Sequence, residues 1–352
     1  MNLNRTSPGF SVHLAVLLFA ILVSSALSYY ANAQTPQEIP LESRAIKGPL
    51  SLEPEAAPWK DVPPMQVPLA WQNITKPMLL GPSIGSILVR SVHNGTWIAF
   101  MLEWSDKAKN ADVLQTQSFR DAVAVMFPLG NESQPPFLGM GEVGRPVNIW
   151  HWKADWQEDV SNQFQEIGLV HPNLWVNYYP LAEGNQSYPS PPVTNLSKTF
   201  VSGLAAGNPM SNPFRTTPVE DLIAEGFGSL TSQPQQDVTG NGVWRDGVWK
   251  VVLARPITTA DPNDAQFEGW LRKNIAFSVW DGGAMEVDGR KSFSNWHLVA
   301  IQAGVEADIA EGFLVPATIW RIAGIAGIYL LSAGILLFLW SRRGAAPQRP
   351  RP

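Results

Sequence analysis

Short blocks of apolar residues, broken by turn residues, set the pattern of this chain. Residues 87–92 lead into Asn94-Gly95, a pair that favours a tight hairpin, and residues 96–104 continue as a second aromatic and aliphatic run. Residues 122–127, 147–152, 247–254, 275–280 and 296–301 read the same way. Each is bounded by Gly, Asp, Asn or Pro. This spacing predicts a mainly β chain, an antiparallel β-sandwich over residues 67–310. Residues 34–66 lack a clear period and read as an extended arm. Residues 155–240 are rich in Pro, Asn, Ser and Gln and read as a long insertion at one end of the sandwich. Within it, residues 218–225 predict one short helix capped by Thr216 or Thr217.

The two ends break this pattern. Arg5, an apolar stretch and the small-x-small triplet Ala31-Asn32-Ala33 predict a cleaved signal peptide over residues 1–33. Near the other end, residues 322–340 carry no charge, with Trp320 and Trp340 at the flanks. That predicts a transmembrane helix over residues 319–340. Arg342, Arg343, Arg349 and Arg351 follow, so the positive-inside rule places residues 341–352 in the cytoplasm and the β domain on the periplasmic or extracellular side. Five Asn-x-Ser/Thr sequons, at Asn73, Asn94, Asn131, Asn185 and Asn195, would then face outward.

Composition narrows the chemistry. The chain has no cysteine, which excludes disulfides, cysteine-held iron–sulfur clusters and C-x-x-C-H haem attachment. A net charge of −5 gives no case for nucleic acid. With 15 Trp and 30 Pro in 352 residues, an aromatic-rich core under many turns is expected. No hydrolase or zinc-protease motif is present, and His93, His151, His171 and His297 are scattered. Asp237-Val238-Thr239-Gly240-Asn241-Gly242 copies the start of an EF-hand loop. Its twelfth position is Val248 rather than Glu, so it reads as a turn entering a strand. Nothing here is a catalytic apparatus.

Two ordered series of motifs carry a resemblance. The first runs through Trp104-Ser105-Asp106, the stretch from Asp121 to Pro128, Gly139-Met140-Gly141 and the stretch from Pro146 to Lys153. The second runs through residues 247–252, Arg255-Pro256, residues 276–282 and residues 289–296. Together they resemble the haem b-binding gamma subunits of the ethylbenzene dehydrogenase and dimethyl sulfide dehydrogenase family. The 155–240 segment is most similar to the nitrate reductase and nitrite oxidoreductase branch. The resemblance implies a non-catalytic electron-transfer subunit holding one non-covalent haem b, with an iron–sulfur subunit and a molybdenum catalytic subunit as partners. It also implies Met and Lys axial ligands, which fall on Met140 and Lys291, with Arg290 beside a haem propionate. Met126 and Met285 are rival thioethers, and His297 is the rival nitrogen ligand. The C-terminal span departs from the soluble members and ties the complex to a membrane chain. The alternative is a cofactor-free, membrane-anchored β-sandwich for sugar binding or adhesion, using Trp175, Tyr178 and Tyr179.

Overall fold

The computed structural model describes residues 39–130, 134–162, 164–173, 203, 207–267 and 272–302. The predicted signal peptide, the 319–340 span, the cytoplasmic tail and Trp175, Tyr178 and Tyr179 lie outside these residues. Among the described residues no helix is long and apolar enough to cross a membrane.

Fourteen strands form one mixed sheet. They are β1 (Leu41–Ala45), β2 (Met65–Pro68), β3 (Ala70–Trp71), β4 (Ser86–His93), β5 (Trp97–Ser105), β6 (Ala122–Pro128) and β7 (Val147–Lys153). Then come β8 (Val219–Ala224), β9 (Thr231–Ser232), β10 (Thr239–Arg245), β11 (Val248–Pro256), β12 (Arg272–Trp280), β13 (Ser292–Phe293) and β14 (His297–Ile301). The main path runs β10-β11-β5-β4-β1-β14-β12-β6-β7-β8-β9. Among the described residues, the short helices α1 (Ala57–Lys60), α2 (Ala154–Ser161) and α3 (Ile167–Val170) lie in the connections.

The apolar blocks form strands where the pattern places them, and Asn94-Gly95 turns β4 into β5. The Asn94 side chain is spent on that turn. It accepts from the backbone N–H of Thr96 and Trp97, donates to the Gly48 carbonyl and is buried. Three expectations are corrected. Residues 218–225 are not a helix: β8 pairs with β7 from Val219↔Trp152 to Ala224↔Val147. The run behind Thr216 and Thr217 that suggested a capped helix yields to pairing with β7 and β9. The sheet is also not wholly antiparallel. β1, from the 34–66 segment, lies between β4 and β14 and is parallel to both. Finally, the 155–240 segment is not simply an insertion, because β8, β9 and part of β10 are strands of the sheet. The EF-hand-like glycines serve packing. A Cβ on Gly242 would collide with the Trp152 ring, and one on Gly240 with Val219 and the Val252 carbonyl.

β12 makes the corner. Its residues Arg272–Ile275 pair with β14, whereas Ala276–Trp280 pair with β6. One strand thereby joins two stretches of sheet. Aromatic contacts then join β5 and β11 to β6 and β7 across the interior. Phe100 meets Phe127 at 5.6 Å and Trp150 at 5.9 Å, and Trp249 meets Trp152 edge-on at 4.9 Å. Each of these rings is essentially buried and contributes about 1.5–3 kcal/mol of hydrophobic stabilisation. Arg255, from the second motif series, is also structural. It is fully buried, 3.0 Å from Asp264, and donates to Asn148.

Candidate functional site

The opposite face of β6, β7 and β12 holds the site. A strand turns alternate side chains to opposite faces, so Val123, Val125 and Phe127 enter the aromatic core while Ala122, Ala124 and Met126 turn away from it. Register assembles the turned-away residues into rows. Ala276, Met126, Ile149 and Leu222 form one row, and Ser278, Ala124 and His151 the next. Small side chains at the centre of this floor leave a cavity of about 700 Å³. That lies in the range of about 300–1,000 Å³ usual for buried small-molecule and cofactor sites.

Both predicted ligands line this cavity. Met140 sits in the turn between β6 and β7, at a left-handed φ of 67°, between two glycines. Its carbonyl accepts from the Gly226 N–H at 2.8 Å, which docks the turn on the end of β8. A Cβ on Gly141 would crowd the carbonyls of Arg145 and Ala224. That glycine therefore permits backbone docking. Gly139 lines the cavity against the rings of Phe137 and Phe227.

Lys291 enters from the opposite connection, between β12 and β13. Its Nζ lies 5.0 Å from the centre of the Trp280 ring. Among the described residues no carboxylate or hydrogen-bond acceptor meets that nitrogen. Burial alone lowers the amine from 10.5 to about 8. Gln72 holds this connection in place. Its backbone N–H donates to the Lys291 carbonyl at 2.9 Å. Its side-chain amide donates to Gly289 O at 2.8 Å and to Thr75 O at 2.8 Å, and its Oε1 accepts from the N–H of Ile74 and Thr75.

The other candidates separate. Met126 is on the floor. Met285 is 54 % exposed and is not a lining residue, and neither are Arg290 and His297. Three lining residues were missed by sequence reasoning. His151 stacks on Trp280 at 4.8 Å, and its Nε2 has no hydrogen-bond partner. Burial first, then the charges of Lys153, Arg120 and Lys291, hold it well below the ordinary histidine range, hence neutral. Arg120, held by Asp155 at 2.7 Å, and Lys76 bring positive charge to the lining. Arg120 and Lys76 lie outside the motif series, and His151, though within the stretch from Pro146 to Lys153, gains its place on the lining only from the register of β7 against β6.

The fold and site thus define a mainly β protein built around a largely apolar cavity with a thioether and an unpaired amine on its lining. The ethylbenzene dehydrogenase family model matches residues 56–292, and the chain belongs to that family. A Haloferax mediterranei protein, provisionally named respiratory nitrate reductase haem subunit, is 24% identical over 316 residues, covering 90% of each chain. The chlorate reductase subunit gamma of Ideonella dechloratans is 26% identical over 250 residues, 70% of this chain and 78% of that one. Among solved structures, a family 9 carbohydrate binding module from Caldicellulosiruptor kristjanssonii with cellotriose covers 78% of this chain and 97% of its own. Its identity is 7% and its TM-score 0.35, a likeness too remote to argue from.

Proposed function

We propose that this chain is a b-type cytochrome subunit that carries single electrons for an oxidoreductase complex and does no substrate chemistry itself. The observation that carries the reading is the pairing of Met140 with an unpartnered Lys291 on one cavity of cofactor size. A lysine binds iron only as the neutral amine, and burial has already shifted Lys291 toward that form. The thioether of Met140 is a soft ligand that favours the reduced metal. Ala122, Ala124, Ala276 and Ser278 leave the floor open to a flat ring, while Arg120 and Lys76 offer charge to propionates. Haem bound there supplies a one-electron couple. In this reading Arg290, off the lining, gives up the propionate role to Arg120.

The names of the two relatives support a place in a nitrate- or chlorate-reductase type of assembly. We assign the partners as an iron–sulfur subunit and a molybdenum catalytic subunit, with nitrate reduction or nitrite oxidation as the chemistry. The β-sandwich lies on the outer face of the membrane, held by the 319–340 helix after removal of residues 1–33.

The test is spectroscopic. Full-length protein supplemented with haem should show a low-spin b-type spectrum and a pyridine haemochrome. Met140→Ala and Lys291→Ala should each turn the haem high-spin or release it, while His151→Ala should stay low-spin. A wild-type protein without a Soret band would sink the cytochrome reading in favour of a cofactor-free binding module. A spectral change in His151→Ala alone would move the nitrogen ligand to His151. Co-purification in mild detergent, followed by mass spectrometry, checks the partners.

A further inference from the structure

Away from the cavity lining, three carboxylates from distant parts of the chain converge. Asp106 follows β5, Asp121 precedes β6 and Asp281 follows β12. One carboxylate oxygen from each lies within 4.8 Å of the other two. Asp106 and Asp121 are buried and Asp281 is half-buried.

Neutral donors fix these groups without neutralising them. Asp121 accepts from the Asn110 N–H at 2.7 Å, the Trp249 indole at 2.9 Å and the Gly282 N–H at 2.9 Å. Asp106 Oδ1 accepts from Ala108 N–H at 3.1 Å, and Asp281 Oδ1 from Ala284 N–H at 3.1 Å. Among the described residues none of the three is ion-paired to Lys, Arg or His. A second observation is independent of this clustering. Asp106 is only 7 % exposed, and its Oδ2 has no partner. The Trp104 indole N–H and the Asp121 carboxyl both lie beside the Asp106 carboxyl and favour its charge, though neither reaches Oδ2 at ordinary hydrogen-bond geometry. The side-chain oxygen of Asn110, also buried, has no partner either. Gly283 stands beside both this oxygen and Asp281 Oδ1: a Cβ there would lie 3.2 Å and 3.1 Å from them.

Buried carboxylates without counter-charge are costly unless a cation or proton compensates them. All the available ligand atoms are oxygens, the donor set of a hard cation. Calcium–oxygen bonds of about 2.3–2.6 Å place opposite ligands about 4.6–5.2 Å apart, a span that accommodates this cluster. We propose that Asp106, Asp121 and Asp281, with the Asn110 side-chain oxygen, form a structural site for a calcium-sized divalent cation. The half-buried Asp281 leaves an entry path and room for water ligands. Asn110 and Asp121 bracket the connection whose residues Val113, Gln115, Phe119 and Arg120 line the cavity. A bound cation therefore ties that wall to the β12 corner strand. The site stands whether or not the cavity holds haem.

The test uses the full-length protein. Saturating Ca²⁺ after chelator treatment should raise the wild-type Tm by about 5–10 °C. Tb³⁺ should luminesce on Trp excitation, since Trp249 donates directly to Asp121, and excess Ca²⁺ should quench it. Asp281→Asn should lose most of the Ca²⁺ shift. Asp106→Asn should be at least as stable as wild type in chelator but less stable in Ca²⁺, a crossing that a purely structural carboxylate would not produce. If a variant does not fold, the wild-type Tb³⁺ titration still decides. No chelator-reversible shift and no sensitised luminescence would overturn the site and leave carboxylates that share protons. A Mg²⁺ effect equal to that of Ca²⁺ would overturn the size assignment.

Discussion

The two faces of β6, β7 and β12 share a backbone and differ in every other respect. Toward the interior, Val123, Val125, Phe127, Trp150, Trp152 and Phe277 interlock with rings from β5 and β11. Toward the cavity, Ala122, Ala124, Ala276 and Ser278 leave space, and the few large groups present, Met126, His151 and Trp280, stand around it. A sheet has to bury one face to be stable, and here the aromatic face meets that need. The other face is then free to be under-filled and to carry polar groups without neutralising partners. Stability and site are separated by a period of two residues.

The largest expected effect breaks the aromatic face. Trp150→Ala should cost about 3–5 kcal/mol, read from the denaturant midpoint. A loss below about 1 kcal/mol would show that this face is not the one holding the sheet together. Its mirror image on the cavity face is Ala124→Phe. It should abolish haem uptake in a spectral titration, while the haem-free protein keeps its β circular dichroism signal.

Next comes Gln72→Ala. Removing the amide leaves the N–H groups of Ile74 and Thr75 without their acceptor, at about 1–3 kcal/mol. It also frees the Lys291 connection, so the Tm should fall and the affinity for haem with it. An unchanged affinity would mean that the lysine connection holds itself.

A smaller effect follows from Lys291. Burial lowers its amine from 10.5 to about 8. Below pH 8 both folded and unfolded chains are protonated, and the folded one carries the full penalty of a buried charge. Between about 8 and 10.5 the unfolded chain binds more protons, so stability rises with pH, and above that window the penalty is gone. Lys153, lowered to about 8, and Lys273, lowered to about 7, act in the same direction. The comparison is therefore the difference between wild type and Lys291→Met in the haem-free state. The variant should have the higher Tm at pH 7, and the gap should close toward pH 10.5. A gap independent of pH would refute the buried-amine account. Met126→Leu should be mildest, with under about 1.5 kcal/mol lost and the haem spectrum kept, because the swap conserves volume.

Much of this molecule was legible along the chain. Alternation and turn residues placed β4, β5, β6, β7, β11, β12 and β14, because a strand's pattern is local and its side chains have only two faces to choose between. Met140 and Lys291 were nameable because the family resemblance implies a Met and a Lys ligand and its motifs fall on these two positions; both line one cavity. What local pattern could not decide was pairing and convergence. Residues 218–225 have a helix-compatible pattern, and only the free edge of β7 makes them a strand. β1 is short, and its parallel place between β4 and β14 depends on partners about 50 and 260 residues away. His151 looked like one scattered histidine until register set it beside Ala124 and Ser278. The calcium-like stretch at residues 237–242 leads into β10, as its missing twelfth ligand implied, but that Gly242 makes room for Trp152 and Gly240 for Val219 is set by the packing. The actual gathering of carboxylates joins positions 106, 121 and 281, which no spacing rule connects. Local periodicity reports which face a side chain takes; which distant faces meet is set by burial of the whole sheet, a property of the folded chain.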